Sequence, residues 1–361
     1  MEEIRIAKNS FRILVINPLT DSTKYGIFEN ETSLYEWNVP VNKLWEERSI
    51  SEQAELRTQS ILQHINQIGI RVHSIDAVCG RGGLLRPISG GTYVINEKMI
   101  TDLEAAKFGF HVSNFGALIA NNIAEKMGIP SYIADPVVVD EMMDLAKATG
   151  IPGKKRKSIF HALNQKSVAR EISSQLHATY EDLCLVIAHL GGGVTVGAHQ
   201  YGRVIDVNNG FDGEGPMSFE RAGNIPNHHL IDLCFQNGQT KESINNKVIF
   251  ESGLKSYLEI GDLDELDRAY TERRKETEEV FDILAYQVAK EIGKMGAALS
   301  GNVNAIGLTG NLANYSYLTD KIVNQISWIA DVYVLPGENV LSALYHAAYR
   351  VLTKQEAPNQ Y

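Results

Sequence analysis

The chain has 361 residues, of which 44% are hydrophobic and 22% are charged, a composition typical of a soluble globular protein with two domains of roughly 150 to 180 residues. The formal net charge of −10 argues against a general nucleic-acid-binding protein, which would usually be basic. No apolar run reaches the ~18 residues that span a bilayer, and the charged start MEEIRIAKNSF lacks a signal-peptide core, so we expect a cytoplasmic protein without a membrane partner.

The first half of the chain predicts three strands followed by alternating strands and helices. Residues 11–39, FRILVINPLTDSTKYGIFENETSLYEWNV, have the pattern strand, polar turn, strand, hairpin turn and strand, with turn signals at NP and ENE. Residues 74–83, SIDAVCGRGG, predict a short strand that ends in a glycine turn, and residues 102–128 predict a helix. Residues 131–148, SYIADPVVVDEMMDLAKA, predict a closing strand and helix.

The second half follows a similar order. Residues 183–210, LCLVIAHLGGGVTVGAHQYGRVIDVNNG, predict three strands, the first two joined by the tight turn Gly191–Gly193. Residues 278–301 predict an amphipathic helix, whose apolar face at three- and four-residue spacing is Val280, Leu284, Val288, Ile292, Met295 and Leu299. Residues 302–312 predict a short strand with a glycine turn, and residues 330–353 a closing strand and helix.

Two halves of similar order indicate an internal duplication with a cleft between two α/β domains. The alternative is a chance similarity of generic α/β segments. We predict a first domain over residues 1–185 and a second, nucleotide-binding domain over residues 186–339, with the C-terminal helix of residues 340–361 packing back on the first. Ligands of open α/β sheets usually bind at the turns that follow the strands, so these turns are the candidate site.

The cysteines, histidines and one basic run indicate no further site. Cys79, Cys184 and Cys234 show no C-x-x-C spacing, and we predict reduced, mostly packed thiols. His228 and its neighbour follow NIPN and predict a helix start rather than a metal site. The basic run GKKRKS at residues 153–158 is short and lacks aromatic partners, which favours a solvated loop.

The two polar turns suit an extended polyphosphate, because backbone amides and small hydroxyls donate hydrogen bonds and a missing side chain lets the main chain come close. In the first turn the candidate donors and ligands are Asn17, Thr20, Ser22, Thr23 and Lys24. In the second turn they are the amides of Gly191, Gly192 and Gly193, with His189 beside them.

At this point the sequence resembles a known family. The motifs that carry the resemblance are VINPLTDSTK, GRGGLL, FHALNQK, HLGGG with GRVIDVNNG, and TGNL. Together they are similar to the butyrate kinases, the longer-chain branch of the acetate kinase family. The resemblance runs from about residue 13 to about residue 349. It implies the fold of that family, a duplicated actin-like (ribonuclease H-like) ATPase fold of the α/β class.

The resemblance also implies the reaction. Members of this family transfer phosphate between ATP and a carboxylate, which gives ADP and an acyl phosphate, with Mg2+ as the metal ion. The expected partner is therefore a small carboxylate such as butyrate or a branched-chain acid, and the family suggests a homodimer or a higher homo-oligomer. The chemistry is consistent, because a carboxylate is already ionised at pH 7 and needs alignment and charge neutralisation rather than a strong base.

In the first domain the resemblance assigns five residues. Asn17 matches the asparagine of the phosphate loop that also serves the magnesium ion, and Ser22 and Lys24 match later positions of that loop. Arg81 matches the arginine that holds the carboxylate and the transferring phosphoryl group, and Asp135 matches an acidic residue of the reaction centre. Arg81 and Asp135 are thus two of the three predicted catalytic residues.

In the second domain the third predicted catalytic residue is Arg221, which matches a second arginine at the same centre. His189 and Gly191–Gly193 match the second phosphate loop. Gly310 and Asn311 fall at the turn on the adenosine side, and Glu338 is the best match to an acidic ligand of the metal ion.

Several of these residues also have purely structural interpretations. Arg81 and Arg221 could form surface ion pairs, although both lie in glycine-flanked turns. Arg86 is more typical of an exposed loop arginine than of a third anion contact. Asp135 could cap a helix that starts near Pro136, a position that Asp often fills.

Two further segments stay open at this point. His161 suits a packed histidine as well as a site residue, and Gln165 stands where acetate kinases carry a histidine. Residues 136–139, PVVV, could line the pocket of the acyl chain or form an ordinary core strand.

The first phosphate loop departs from the family pattern. Leu19 replaces a glycine, so a positive φ there would cost ~1–2 kcal/mol. Asp21 replaces a neutral hydroxyl residue, and its carboxylate would repel phosphate unless magnesium bridges the two. Asn311 and Ser252 also stand where glycine is expected. The alternative function is therefore a weakened homologue that binds nucleotide or acyl phosphate as a regulator, and a sugar kinase is a more distant one.

Overall fold

The computed structural model describes residues 10–45 and 47–361. The chain divides into two compact units. The first comprises the described chain up to Val139 together with Asn339–Tyr361, and the second comprises Asp140–Glu338. No helix in the described part of the chain is long and apolar enough to cross a membrane.

The first unit is built on a six-stranded sheet with the strand order β3-β2-β1-β4-β6-β5. Its strands are β1 (Arg12–Pro18), β2 (Ser22–Glu29), β3 (Thr32–Pro40), β4 (Ala77–Arg81), β5 (Thr92–Val94) and β6 (Ser131–Ala134). Its helices are α1 (Ile50–Gln67), α2 (Glu97–Glu104), α3 (Asn114–Met127) and α12 (Val340–Leu352). The first three strands form an antiparallel meander, and β1, β4 and β6 run parallel. The predicted strand, turn and strand pattern is therefore confirmed.

The second unit is built on a five-stranded sheet with the order β11-β10-β7-β8-β9. Its strands are β7 (Cys184–Leu190), β8 (Val194–Gln200), β9 (Arg203–Val207), β10 (Ala305–Gly310) and β11 (Val332–Pro336). Its helices are α4 (Asp144–Lys147), α5 (Ala162–Gln175), α6 (Asn227–Cys234), α7 (Lys241–Phe250), α8 (Gly253–Leu258), α9 (Leu263–Thr271), α10 (Lys275–Ala298) and α11 (Ser316–Ile326).

The two sheets share one topology. In each, an antiparallel meander of three strands is followed by two strands parallel to the first. The meander β1–β3 corresponds to β7–β9. The parallel strands β4 and β6 correspond to β10 and β11. The duplication predicted from the order of the elements is thus present in the strand order. The first sheet adds only β5, which pairs antiparallel with β6.

Local sequence explains where the main helices begin and end. Ser49 caps α1 through a capping box with Glu52, and α3 ends at Gly128 in the left-handed conformation. The apolar face predicted for residues 278–301 is confirmed, because five of its six residues lie on α10 and Leu299 directly follows it, and all six are buried in the core of the second unit. The last helix, α12, packs against β1 and β4 in the first unit.

Three sequence predictions differ from the structure. The helix predicted over residues 102–128 is two helices, because Ala106 and Gly109 adopt positive φ between them. The helix predicted after β6 is only the single turn α4. The basic run at residues 153–158 is only partly solvated, because Arg156 is half-buried and pairs with Asp206 and Glu214.

Other sequence predictions hold. Cys79 and Cys184 are buried free thiols, and Cys234 is free and exposed. The histidine pair at residue 228 lies at the start of α6, as predicted. The domain boundary predicted near residue 185 marks the place where the strand pattern repeats. The two compact units instead divide between Val139 and Asp140. The difference arises because α5 packs on the second sheet. That boundary stays a prediction.

Candidate functional site

The first polar turn joins β1 to β2 without the strain expected at Leu19. The turn closes with a hydrogen bond from the Leu19 amide to the Ser22 carbonyl at 2.8 Å. Leu19 does not adopt a positive φ, so the strain expected there is absent. The exposed Asp21 carboxylate accepts a hydrogen bond from the Ser22 hydroxyl at 2.8 Å. The turn is therefore formed by ordinary backbone conformations and not by glycine.

A buried arginine that the sequence analysis missed supports this turn. Arg57 of α1 is 4% exposed, and its Nη1 lies 3.1 Å from the carbonyl oxygens of both Leu19 and Ser22 and 2.9 Å from Thr23 Oγ1. Its guanidinium stacks on Phe115 at 4.7 Å from the ring centroid. Burial lowers the pKa of Arg57 to about 10, and the charge of Asp21 opposes that shift, so the group is cationic at pH 7.

Asn17 and Arg81 lie in contact at the ends of two neighbouring parallel strands, β1 and β4. Arg81 Nη1 donates to Asn17 Oδ1 at 3.2 Å. Close packing positions this arginine, because a Cβ on Gly116 of α3 would collide with the Arg81 carbonyl oxygen. The structure therefore unites two residues that the sequence predicted for one site.

The other predicted residues of the first turn have protein partners. Ser22 and Thr23 are buried, and the hydroxyls of both already interact with the protein through the contacts to Asp21 and Arg57. Lys24 is exposed and lies 3.2 Å from Glu36 on β3. Lys24 also pairs with Asn17 in the β1–β2 register, which places the two side chains on the same face of the sheet.

Asp135 is nearly buried at the end of β6 in a strained backbone conformation, with φ of 36°. Its Oδ1 accepts a hydrogen bond from the Gly91 amide at 2.7 Å, and its own amide donates to the Gly91 carbonyl at 3.1 Å. No helix begins at Pro136 in this described segment, so the helix-cap interpretation is wrong. A strained carboxylate at a strand end is typical of a functional site, and the predicted catalytic role of Asp135 stays a prediction.

The remaining alternatives of the first unit are resolved in part. Arg86 is exposed, as predicted, and its guanidinium lies 4.8 Å from the Tyr361 ring centroid. Residues 136–139 form a turn, not a strand, and Val139 makes an isolated parallel bridge with Ile88.

The second turn, between β7 and β8, is formed by glycine. The Gly191 amide donates to the Gly193 carbonyl at 3.1 Å, so of the three amides predicted to bind phosphate one is engaged within the turn. The Arg221 guanidinium lies directly against Gly193, and a Cβ there would collide with its Nη1. That Nη1 donates to the Gly210 carbonyl. The structure therefore places the predicted catalytic arginine on the predicted phosphate turn.

The loop that carries Arg221 is fixed to the same turn. Ser218 Oγ donates to the Gly192 carbonyl at 2.6 Å and accepts from the Arg221 amide at 3.1 Å. Gly253 at the start of α8 approaches the Ser218 and Arg221 backbones so closely that no side chain would fit. Burial lowers the pKa of Arg221 and the neighbouring Glu220 opposes this, which leaves a desolvated cation beside the glycines. Sequence reasoning noted Ser252 but missed Gly253.

His189 is fully buried at the end of β7 and points toward Glu338. Its Nδ1 lies 2.7 Å from Asn164 Oδ1, and Asn164 Nδ2 donates to the Gly337 carbonyl at 3.4 Å. Because Asn164 Oδ1 can only accept, His189 carries its hydrogen on Nδ1. Its Nε2 lies 3.4 Å from Glu338 Oε1, and within the described chain this nitrogen has no hydrogen-bond partner.

His161 stacks on His189 with ring centroids 3.7 Å apart, so the open interpretation of His161 resolves to a residue beside the second turn. Its Nδ1 lies 2.9 Å from Thr195 Oγ1, which accepts a hydrogen bond from Gln165 Nε2 at 2.8 Å. The Thr195 hydroxyl oxygen thus joins His161 and Gln165 in one hydrogen-bond chain.

The same hydrogen-bond chain continues inward from Gln165. Gln165 Oε1 accepts from His199 Nε2 at 3.0 Å, and His199 Nδ1 accepts from the Tyr180 hydroxyl at 2.7 Å. Burial and the charge of Lys166 lower the pKa of His199 to about 3, so its ring is neutral. Gln165 is therefore a link in a buried hydrogen-bond network.

The turn that follows β10, which the sequence predicts to contact the adenosine side, lies in this unit. Gly310 adopts φ of 89° and lies so close to the Leu190 backbone that a Cβ would collide with it. Its amide donates to the Gly337 carbonyl at 3.1 Å, which joins the ends of β10 and β11. Asn311 is exposed and begins a short 3₁₀ helix, Asn311–Asn314.

A protein-only metal cage is absent from residues 10–45 and 47–361, where no group of three or more His, Cys, Asp or Glu side chains could hold an ion. Asn17 Oδ1 and the Glu338 carboxylate are oxygen donors of the kind magnesium prefers. Mg2+ usually binds through one or two protein oxygens together with substrate phosphates and water, so each of these oxygens, one in the first unit and one in the second, is of a kind that suits a nucleotide-bound magnesium ion.

The comparisons with known proteins bear on the family and the fold. Residues 144–339, more than half of the chain, match the model of the acetokinase family. Among solved structures, an acetate kinase of Porphyromonas gingivalis has a TM-score of 0.77 at 19% identity and covers 96% of this chain and 100% of its own. An acetate kinase of Entamoeba histolytica has a TM-score of 0.75 at 16% identity, covering 95% of this chain and 100% of its own. A propionate kinase of Francisella tularensis has a TM-score of 0.67 at 16% identity, covering 92% and 98%.

Proposed function

This chain belongs to the acetokinase family, and on that premise we propose that it transfers the γ-phosphoryl group of ATP to a short-chain carboxylate. A carboxylate oxygen attacks the γ-phosphorus, the bond from that phosphorus to the bridging oxygen breaks, and ADP leaves with the electron pair. The products are an acyl phosphate and ADP, and the reverse reaction makes ATP. We further propose butyrate or a branched-chain acid of four or five carbons as the acceptor, on the resemblance of the motifs.

One observation supports this proposal most strongly. In the second unit a desolvated arginine, Arg221, lies on the glycine turn at Gly193, and the loop is held there by the Ser218 hydroxyl. A cation beside a turn without side chains is what a phosphate group requires, because main-chain amides and charge act together at short range. In a water-poor setting such a pair stabilises charge that develops during phosphoryl transfer.

Arg81 is the proposed ligand of the carboxylate. It projects from the end of β4, and its contact with Asn17 Oδ1 holds the guanidinium in place at 3.2 Å. Because the acceptor is ionised at neutral pH, this arginine must align it and reduce its repulsion from phosphate, and no proton has to be removed. Asp135, tied to Gly91, is proposed to fix the neighbouring strand end and to assist at the reaction centre.

Magnesium and ATP complete the proposed site. Asn17 in the first unit and Glu338 in the second are each proposed as an oxygen ligand of such an ion, which would neutralise phosphate charge when bound. His189, whose Nε2 lies 3.4 Å from Glu338 Oε1, is proposed to contact the nucleotide at the second turn. Gly310 and Asn311 are proposed to contact the adenosine side.

A hydroxamate assay for acyl phosphate tests the proposal. The purified protein is incubated with ATP, magnesium and, in turn, acetate, propionate, butyrate, isobutyrate, valerate and isovalerate. We expect turnover with the four- and five-carbon acids and its loss in Arg81→Ala. Arg86→Ala is the matched control, because that exposed arginine of the same loop stacks on Tyr361 and should leave the rate near that of the wild type.

The regulator alternative predicts a different result, namely nucleotide binding by calorimetry without turnover on any acid. Two observations speak against it. Leu19 adopts no positive φ, and Asp21 has a cationic neighbour in Arg57. The loop substitutions that suggested weakened catalysis are thus accommodated by the surrounding structure.

A further inference from the structure

The first phosphate turn contains a carboxylate that should repel a nucleotide. Asp21 is exposed at the tip of the β1–β2 turn, two residues from Leu19 and next to Ser22. At a separation of a few ångströms a carboxylate and a phosphate oxygen repel each other unless an opposite charge lies close by. The question is therefore what makes this turn suitable for an anion.

Arg57 supplies the missing charge. It lies on the buried face of α1, with Ala54, Ile61 and Ile65 at helical spacing around it. Asp21 is the charged group that raises the pKa of Arg57 against the effect of burial, so the two charges interact. One Arg and one Asp bring the local sum of charges to zero, and without Arg57 the turn would be acidic.

Arg57 also fixes the orientation of the turn. Its Nη1 contacts the carbonyl oxygens of Leu19 and Ser22 and the hydroxyl oxygen of Thr23. Because C=O and N–H of a trans peptide point in opposite directions, a Leu19 carbonyl directed at Arg57 turns the Thr20 amide away from the guanidinium. The negative ends of two peptide dipoles are thereby neutralised.

A second feature distinguishes Arg57 from an ordinary structural arginine. Its Nε is buried and, in the part of the chain that the structure describes, has no hydrogen-bond partner. Arg221 of the second turn has the same property. Both predicted phosphate turns are thus accompanied by a buried, incompletely paired guanidinium.

We propose that Arg57 is a positioning residue of the first phosphate turn, which neutralises Asp21 and holds the turn so that it accepts the phosphates of a nucleotide. The inference rests on the proposed function, because it assigns this turn to ATP. Arg57 is not placed in contact with the reacting atoms. Its effect passes through the backbone of the turn and through the charge of Asp21.

A double-mutant cycle tests this inference. Dissociation constants for ATP with magnesium are measured by calorimetry for the wild type, Arg57→Met, Asp21→Asn and the double variant, with KM for ATP and kcat from the hydroxamate assay. We expect Arg57→Met to weaken nucleotide binding by about 10- to 30-fold, chiefly in KM, and Asp21→Asn in the same chain to recover most of that loss. Arg57→Lys keeps the charge but loses the planar contacts to the turn and the stack on Phe115, so its loss should lie between those of the wild type and Arg57→Met.

Asp21→Asn alone keeps the inference testable if Arg57→Met does not fold. With Arg57 intact, this variant should bind ATP about 3- to 10-fold more tightly and with a steeper dependence on salt, because a positive charge is then uncompensated. A double variant no better than Arg57→Met, or an Asp21→Asn affinity equal to that of the wild type, would overturn the inference while the proposed function stands. A wild type that binds no nucleotide would overturn both.

Discussion

The two polar turns occupy equivalent places in the duplicated sheets but are built in different ways. The turn between β1 and β2 contains no glycine and is held from one side by Arg57 of a neighbouring helix. The turn between β7 and β8 is three glycines long, and Arg221 from a separate loop lies on Gly193. In both turns a side chain donates a hydrogen bond to a backbone carbonyl of the turn. Arg57 donates to the Leu19 carbonyl in the first turn, and Ser218 donates to the Gly192 carbonyl in the second.

This difference shows which properties the topology fixes and which it leaves to the sequence. The strand order places a turn after the first strand of each sheet, whatever residues form it. The cation that makes such a turn suitable for phosphate comes from α1 in one unit and from the loop before α6 in the other. Glycine is required only where the cation lies directly on the turn, since only there would a Cβ collide with it.

The largest expected effect comes from removing the cation of the second turn. Arg221→Ala should lower the rate of acyl phosphate formation by at least about 100-fold, because a desolvated donor to developing phosphate charge is lost. The hydroxamate assay at saturating ATP measures this rate. The variant also leaves the Gly210 carbonyl without the guanidinium, so the midpoint of thermal unfolding should fall moderately.

Arg203→Ala is the matched control for this experiment. Arg203 is an exposed arginine of β9 in the same unit, so its removal changes the net charge equally. If both variants lost activity to the same extent, the effect would come from overall charge, and the assignment of Arg221 to the phosphate turn would be wrong.

A smaller effect is expected from adding a single methyl group to the glycine turn. In Gly193→Ala the new Cβ would lie 3.1 Å from Arg221 Cζ and 3.3 Å from the Gly210 carbonyl oxygen, so the guanidinium must move. We expect KM for ATP to rise by about 10- to 100-fold, since displacements of this size at a reacting group are costly. Gly150→Ala, at a position with open space around it, is the control and should leave KM unchanged.

Sequence reasoning predicted those parts of the site that repeat a local pattern. The two meanders, the apolar face of α10 and the arginines Arg81 and Arg221 follow from strand patterns, helical spacing and motifs. The residues it missed act through contacts that are distant in sequence. Gly253 matters because it packs on the Arg221 loop, and Asn164 because it orients His189. Arg57 left a signal as a charged residue on the buried face of a helix, and Asn164 stood within the motif FHALNQK without a role assigned to it.

The second unit also contains the buried histidine His199, at the end of β8 far from the glycine turn, and this residue predicts a dependence of stability on pH. The folded protein holds His199 neutral with a pKa of about 3, below its ordinary value of 6.5. As the pH falls through 6.5 the unfolded chain takes up a proton that the folded chain does not, so stability is lost progressively down to about pH 3. This single group should contribute up to about 1.4 kcal/mol per pH unit in that window.

Nitrogen-15 NMR of histidine-labelled protein measures this titration directly. The two ring nitrogens of His199 should keep the shifts of a neutral ring with the hydrogen on Nε2 from pH 7.5 to pH 5, because Gln165 accepts from that nitrogen. Exposed His228 provides the reference signal. A His199 titration midpoint near 6.5 would contradict both the burial argument and the assigned hydrogen-bond chain.

The smallest effect is expected where the first turn departs from the glycine-rich pattern. Because Leu19 adopts no positive φ, Leu19→Gly removes no strain, and it increases the conformational freedom of the unfolded chain. We expect KM for ATP to stay within about twofold and the free energy of unfolding to fall by about 0.5 to 1 kcal/mol, measured by urea denaturation. A tenfold decrease in KM would instead mean that the first turn needs glycine as the second does, and that the two turns bind phosphate by the same design.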